Sequence, residues 1–259
     1  MINRKQALFG ITDKDEKTIV SLMCDKADKA ILTGARMYSR FLSPAQAHLI
    51  SERFNSDTET SFFGGYEEAE RVIACFSSFD TYEIDYDYPV DIICISAKNK
   101  AVFSHRDYLG SLMGLGIKRE LLGDIVISDS CAYLFCHREI SDFISMNLIS
   151  IGKNTVTSNI VSQEDIYIPP KQFKEKSVTV SSMRLDCVLS AATGKSRSLS
   201  AEMVTKGLVQ VNYEYAKSTS SQVNNGDIIS IRGFGKMILS TDNTLTKKGR
   251  YHIQIKQYI

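Results

Sequence analysis

Between Val90 and Val161 the sequence allows essentially one order of elements. "VDIICIS" is apolar on both faces and predicts a buried strand, whereas "SHRDYLGSLMGLG" opens with a capping serine, Ser104, and sets Tyr108, Leu109, Leu112 and Met113 on one helical side. "DIVIS" and "CAYLFC" are two further strands, joined at Asp129-Ser130 by a hairpin-length turn. "REISDFISMNL" predicts a second helix and "TVTSNIV" a last strand. Strand, helix, strand, strand, helix, strand is the ferredoxin-like arrangement, which RNA-recognition-motif domains also use. The arrangement alone does not specify RNA, because it hosts many unrelated functions.

The flanks read differently. Residues 13–33 predict a helix with Asp13 as N-cap, Ile19, Leu22, Met23, Ala27, Ala30 and Ile31 on its inner side, and Gly34 as terminator. Ser43-Pro44 opens a second helix through "AQAHLISERF", so residues 1–60 read as a small helical unit. "SFFGGYEEAERVIACF" then passes a Gly-Gly turn into a strand near Val72 to Phe76, and residues 61–168 form the middle domain. Pro169-Pro170 and the polar residues after it read as a linker, 169–180, ahead of a last domain at 181–259. The expected class is α+β throughout.

Charge separates the same regions. The chain has a net charge of +1, but residues 171–259 carry +8 and residues 1–170 carry −7. A basic unit on a mildly acidic body suits a polyphosphate partner. No apolar run reaches the ~18 residues of a membrane span. The first residues turn charged too soon for a signal peptide, so a cytoplasmic protein is expected. Cys24, Cys75, Cys94, Cys131, Cys136 and Cys187 sit in apolar surroundings without a Cys-x-x-Cys pair, which predicts buried free thiols.

Gly194-Lys195-Ser196 has the ending of a phosphate-binding loop, but the required earlier glycine is Leu189 and the preceding residues have helical spacing. A nucleotide site is therefore not expected. The segment instead predicts two short helices, about Arg184 to Ala192 and Arg197 to Lys206, with Ser196 capping the second and Gly207 ending it. Strands "LVQVN" and "DIISIR" follow, the second introduced by Asn224-Asn225-Gly226-Asp227. Arg197 at a helix start, with Lys195 and Arg184 beside it, is suited to gripping phosphate.

Arg184-Leu185-Asp186, Leu189, Ser196-Arg197, Ala201, Gly207, Val209, Val211-Asn212, Gly226-Asp227 and Ile229 together resemble the S4 RNA-binding domain, of αL type. With "SFFGGYEEAER", "SHRDYLGSLMGLGIKRELLGDIVI" and "IRGFGK", most of the chain resembles the YlmH family of bacterial S4-domain proteins. That resemblance implies a monomeric, non-enzymatic factor that binds ribosomal RNA and tRNA on large subunits carrying a stranded peptidyl-tRNA. It implies a place in ribosome-associated quality control, where unfinished chains receive an untemplated tail, and a genetic link to cell division. It implies no cofactor, membrane or small-molecule substrate. The RNA-binding residues expected on this reading are Arg184, Lys195, Ser196, Arg197, Ser198, Lys206, Asn212, Arg232 and Lys236, with secondary contacts at His105, Arg106, Lys118 and Arg119. The family pattern has basic residues where this chain has Leu199 and Leu208, and Trp where it has Tyr213. The two leucines lower the charge offered to phosphate.

S4 domains also accompany enzymes. Arg184-Leu185-Asp186 lacks the Thr-Ser-Gly that follows in RNA pseudouridine synthases, and the signature segments of tyrosyl-tRNA synthetases are missing. His105 and Asp107 are the best acid–base candidates, but neighbouring helical residues point apart, so a polar helix start is expected there. "GLGIKRE" runs from helix to strand, the wrong order for a dinucleotide loop, and His48 and His252 lack ligand-like neighbours. The alternatives are an RNA-modifying enzyme with a middle-domain site and a cell-division adaptor with secondary RNA binding.

Overall fold

The computed structural model describes residues 1–54, 59–78, 87–99, 101–241, 244–247 and 249–258. It divides into two units, Met1–Pro169 and Pro170–Ile259.

The first unit begins with α1 (Arg4–Ala7) and α2 (Lys14–Thr33). Asp13 caps α2 through its carboxylate, which accepts from the Asp15 and Glu16 amides at 2.9 Å, and Gly34 closes it at φ +67°. Next come β1 (Met37–Leu42), α3 (Pro44–Phe54), β2 (Glu59–Phe63) and β3 (Val72–Ser77). The three strands form one antiparallel sheet in the order β1-β3-β2. Val20, Met23, Ala27 and Ala30 of α2 pack with Ile50 and Phe54 of α3 over Ala74 and Phe76 of β3. The expected helical unit is thus an α/β layer. Its strand β1 escaped the sequence reading because a register shift between Tyr38 and Phe41 breaks the two-residue alternation, and its partner β3 lies far along the chain. Leu22 is half exposed, and Val20 takes the inward place assigned to it.

The middle region follows the expected order: β4 (Val90–Ala97), α4 (His105–Gly114), β5 (Leu122–Ile127), β6 (Ala132–His137), α5 (Ser141–Asn147), a short β7 (Ser150–Ile151) and β8 (Asn154–Val161). Its strand order, β5-β6-β4-β8-β7, is the ferredoxin-like order with one added edge strand. Ile93, Ile95, Leu112, Leu134 and Ile144 form the core between the sheet and its helices. Met113, expected inward, is exposed.

"GGYEEAER" joins the two layers of this unit. Gly65 adopts φ +103°, and a Cβ there would lie 2.2 Å from the Phe135 ring, so the backbone rests directly on the aromatic. Asp124 accepts from Tyr66 Oη at 2.9 Å and from the Glu70 and Arg71 amides at 2.7 and 3.2 Å. Arg71 donates to the carbonyls of Leu122, Phe41 and Arg119, and burial lowers its pKa to about 10.

The second unit contains β9 (Phe173–Val180), α6 (Leu185–Thr193), α7 (Arg197–Thr205), β10 (Val209–Val211), β11 (Glu214–Tyr215), β12 (Ile228–Ile231), β13 (Gly235–Ser240) and β14 (Tyr251–Tyr258). The six strands run in the order β11-β10-β12-β13-β14-β9. Leu185, Val188 and Leu189 of α6 and Met203 and Val204 of α7 pack onto Val209, Ile229, Ile231, Met237, Leu239 and Ile253. The linker expected over 169–180 is corrected, because Phe173 to Val180 pair with β14 along their whole length. An edge strand needs little apolar content, and here mainly Val178 and Val180 reach the core.

Candidate nucleic-acid interface

The basic cluster of the second unit is built on a buried acid. Arg184 stands at the N-cap of α6, and its Nε and Nη2 donate to the two carboxylate oxygens of Asp186 at 3.1 and 3.2 Å. Arg197, the first residue of α7, donates from Nη2 to Asp186 Oδ2 at 2.8 Å. The Asp186 side chain is 9% exposed, against 40% and 56% for Arg184 and Arg197. Arg184, then Arg197, hold the carboxyl well below the usual carboxylate range despite its burial. One internal charge therefore fixes two outward guanidinium groups, and the trio keeps a net positive charge.

Around it, Ser196 Oγ caps α7 by accepting from the Leu199 amide at 3.3 Å and lies 2.9 Å from Ser198 Oγ. Lys195 is exposed, with Nζ 5.4 Å from the centroid of the Phe234 ring. These residues flank Arg197 at the α6–α7 turn, and the shared Asp186 carboxylate links Arg197 to Arg184 at the other end of α6. Lys206 stands at the far end of α7, roughly 13 Å away by helical rise, and pairs with Glu202 at 2.6 Å. Asn212 is built into the fold: its Oδ1 accepts from the Ile228 amide and its Nδ2 donates to Asp227, both at 2.9 Å. Arg232 and Lys236 line a groove of about 550 Å³ on the sheet, with Gln210, Tyr215 and Ser230.

The secondary residues separate. His105, Arg106 and Lys118 are exposed, but Arg119 is half-buried and donates to the carbonyls of Leu122 and Gly123 at 2.8 and 3.2 Å. Arg119 is thereby tied to the backbone beside β5, a structural engagement that the sequence did not announce. Asp107 Oδ2 accepts from the Ser104 amide and hydroxyl at 2.8 and 2.7 Å, which ties its carboxylate to the start of α4. The outer face of the middle sheet, where RNA-recognition motifs stack bases, is closed here. Ile92, Tyr133 and Phe135 are buried beneath Tyr66, Ile166 and Ile168, with the Tyr66 and Phe135 rings 4.8 Å apart. Sequence reading missed Tyr66 because its partner lies on another layer.

The six cysteines are free, and all but Cys94 are buried. Among the described residues no group of three or more His, Cys, Asp or Glu is placed to hold a metal, and no helix is long and apolar enough to cross a membrane.

Residues 84–165 match the family model described as "Putative RNA-binding domain in YlmH", and residues 183–229 match the S4 domain. The Ribosome-associated protein quality control protein P2 of Bacillus subtilis (strain 168) is 34% identical over 220 residues, spanning 84% of this chain and 85% of the relative. The structure of the cell division protein ylmH from Streptococcus pneumoniae is similar in fold, with a TM-score of 0.51 at 19% identity, covering 61% of this chain and 99% of that one.

Proposed function

Because the chain belongs to the YlmH family, we propose that it is a non-enzymatic RNA-binding factor of ribosome-associated quality control, recognising large subunits that carry peptidyl-tRNA. The observation that carries the reading is the Asp186-centred pair of arginines beside Lys195 and the α7 N-terminus. Arginine forks bind phosphate bidentately, and a helix start adds favourable amide dipoles. Anchoring on Asp186 restricts both side chains before RNA arrives, which lowers the ordering cost of binding. The secondary contacts consistent with this reading are His105, Arg106 and Lys118 on the first unit. On it, RNA contacts position the factor on the particle, and the untemplated tailing of stalled chains is carried out by other components.

Two measurements test this. Log affinity for structured RNA is expected to fall with log salt by roughly 0.7–0.9 per phosphate neutralised. The full chain is expected to bind tRNA-occupied large subunits roughly tenfold more tightly than residues 170–259 alone, because tethered contacts on one particle reinforce each other. A salt slope near zero overturns the phosphate grip. Equal binding of both forms to occupied and empty subunits removes the first unit from the ribosome-facing surface.

A further inference from the structure

The pairing register of the second unit's sheet assembles a row that no motif announces. Tyr215 of β11 pairs with Gln210 of β10, Gln210 with Ser230 of β12, and Ser230 with Lys236 of β13. Directly paired residues share one face of a sheet. Lys236 Nζ lies 5.0 Å from the Tyr258 ring centroid, and Tyr258 of β14 pairs with Phe173 of β9, ring centroids 4.9 Å apart. The row crosses all six strands, on the side opposite Val209, Ile229, Ile231 and Met237, which face the helices. Five strand spacings make it roughly 24 Å long.

Its chemistry is specific. Tyr215 is 64% exposed at one end, and Lys236 is held between two aromatic rings, its Nζ 5.3 Å from Tyr213 as well. Tyr213 reaches that position from φ +71°, following Asn212 at φ +49°, in a turn where a bulky residue is rare. Arg232 adds a second cation at the groove, and among the described residues none of those lining it is acidic. Aromatic faces interleaved with fixed cations and side-chain amide and hydroxyl groups are the components of a single-strand platform: bases stack, the cations meet phosphates, and Gln210 and Ser230 meet base edges.

We infer that this outer sheet face is a second RNA site, separate from the Arg184–Arg197 surface, that takes two or three unpaired nucleotides with a base stacked on Tyr215. The inference rests on the proposed RNA-binding function and specifies a ligand that the helix-side cluster does not select. A duplex has its bases already stacked and leaves Tyr215 no partner.

Binding of the full chain to a short fluorescein-labelled oligouridine and to a labelled RNA hairpin, by anisotropy at one salt concentration, tests it. Tyr215→Ala is expected to weaken oligouridine binding by about fivefold or more, and Tyr215→Phe to restore it to within about twofold, since stacking needs the ring alone. Arg232→Ala is expected to lower the oligouridine salt slope by roughly 0.7, one single-strand phosphate. Arg197→Ala is expected to weaken the hairpin and leave oligouridine within about twofold. Unchanged oligouridine binding in both Tyr215→Ala and Arg232→Ala overturns the inference, as does equal loss of both probes in Arg197→Ala. Hairpin binding without any oligouridine binding by the unaltered chain overturns it while sparing the proposed function; binding of neither probe overturns both.

Discussion

Arg197 reaches back eleven residues to place Nη2 2.8 Å from Oδ2 of Asp186, the same carboxylate that Arg184 grips from the other side. Removing either end of this contact has different consequences. Arg197→Ala deletes an outward charge and is expected to weaken hairpin RNA by roughly tenfold with a Tm lowered much less than in Asp186→Ala, because Arg184 still satisfies Asp186. Asp186→Ala frees both arginines and is expected to lower Tm by roughly 5 °C or more as well as affinity. Thermal melts and titrations of both variants check this; an Asp186→Ala variant with unaltered Tm would remove the anchor from the account.

The same carboxylate sets an acid limit. Its pKa in the fold lies below the unfolded value of about 3.9, chiefly through Arg184 and then Arg197, so the stabilisation is complete above that pH. It is lost as pH falls from about 4 through the folded value. Chemical denaturation of residues 170–259 across that range is expected to show falling stability, with a shallower dependence in Asp186→Asn. An identical slope in the variant would assign the acid sensitivity to other groups.

Strand β9 gives a prediction about boundaries. Residues 170–259 are expected to fold alone, whereas 181–259 lacks the partner of β14 and exposes an eight-residue edge. The shorter fragment should melt lower and scatter light in a concentration-dependent way. Equal melting of the two would return residues 173–180 to the role of a linker.

In the first unit, Gly65→Ala combines a φ of +103° with a clash against Phe135 and is expected to cost roughly 2–4 kcal/mol of stability. Arg119→Ala should also lower Tm, since it removes the side-chain donor to the Gly123 carbonyl and leaves Arg71 alone on that of Leu122, while Lys118→Ala should not. A Tm in Arg119→Ala equal to that of the unaltered chain would restore Arg119 as a surface contact.

Asp107 and His105 separate the enzyme alternative from the binding reading. His105→Ala should weaken sedimentation with large subunits by about a few-fold at most, the loss of one secondary contact, and Asp107→Ala should act only through the α4 start, where Asp107 meets Ser104. Loss of cellular function in His105→Ala with intact folding and subunit binding would favour catalysis.

Local chemistry made much of this protein legible from sequence. Asp13, Gly34, Ser104, Ser196 and Gly194 act on amides and carbonyls within a few residues, so their roles follow from position. The β-α-β-β-α-β order and the arginine at the α7 start followed likewise from short-range pattern. What the sequence left open depends on partners distant along the chain. Strand β1 needed β3, and β9 needed β14 from the far end of its unit. The assignment of Arg184 and Arg197 to one carboxylate needed the packing of α6 on α7, and the closure of the middle sheet needed Tyr66 from another layer. The row from Tyr215 to Phe173 is the extreme case, since it exists only through strand register. A one-residue slip would turn those side chains to the opposite face, and register is set by the apolar residues between them that the core must bury.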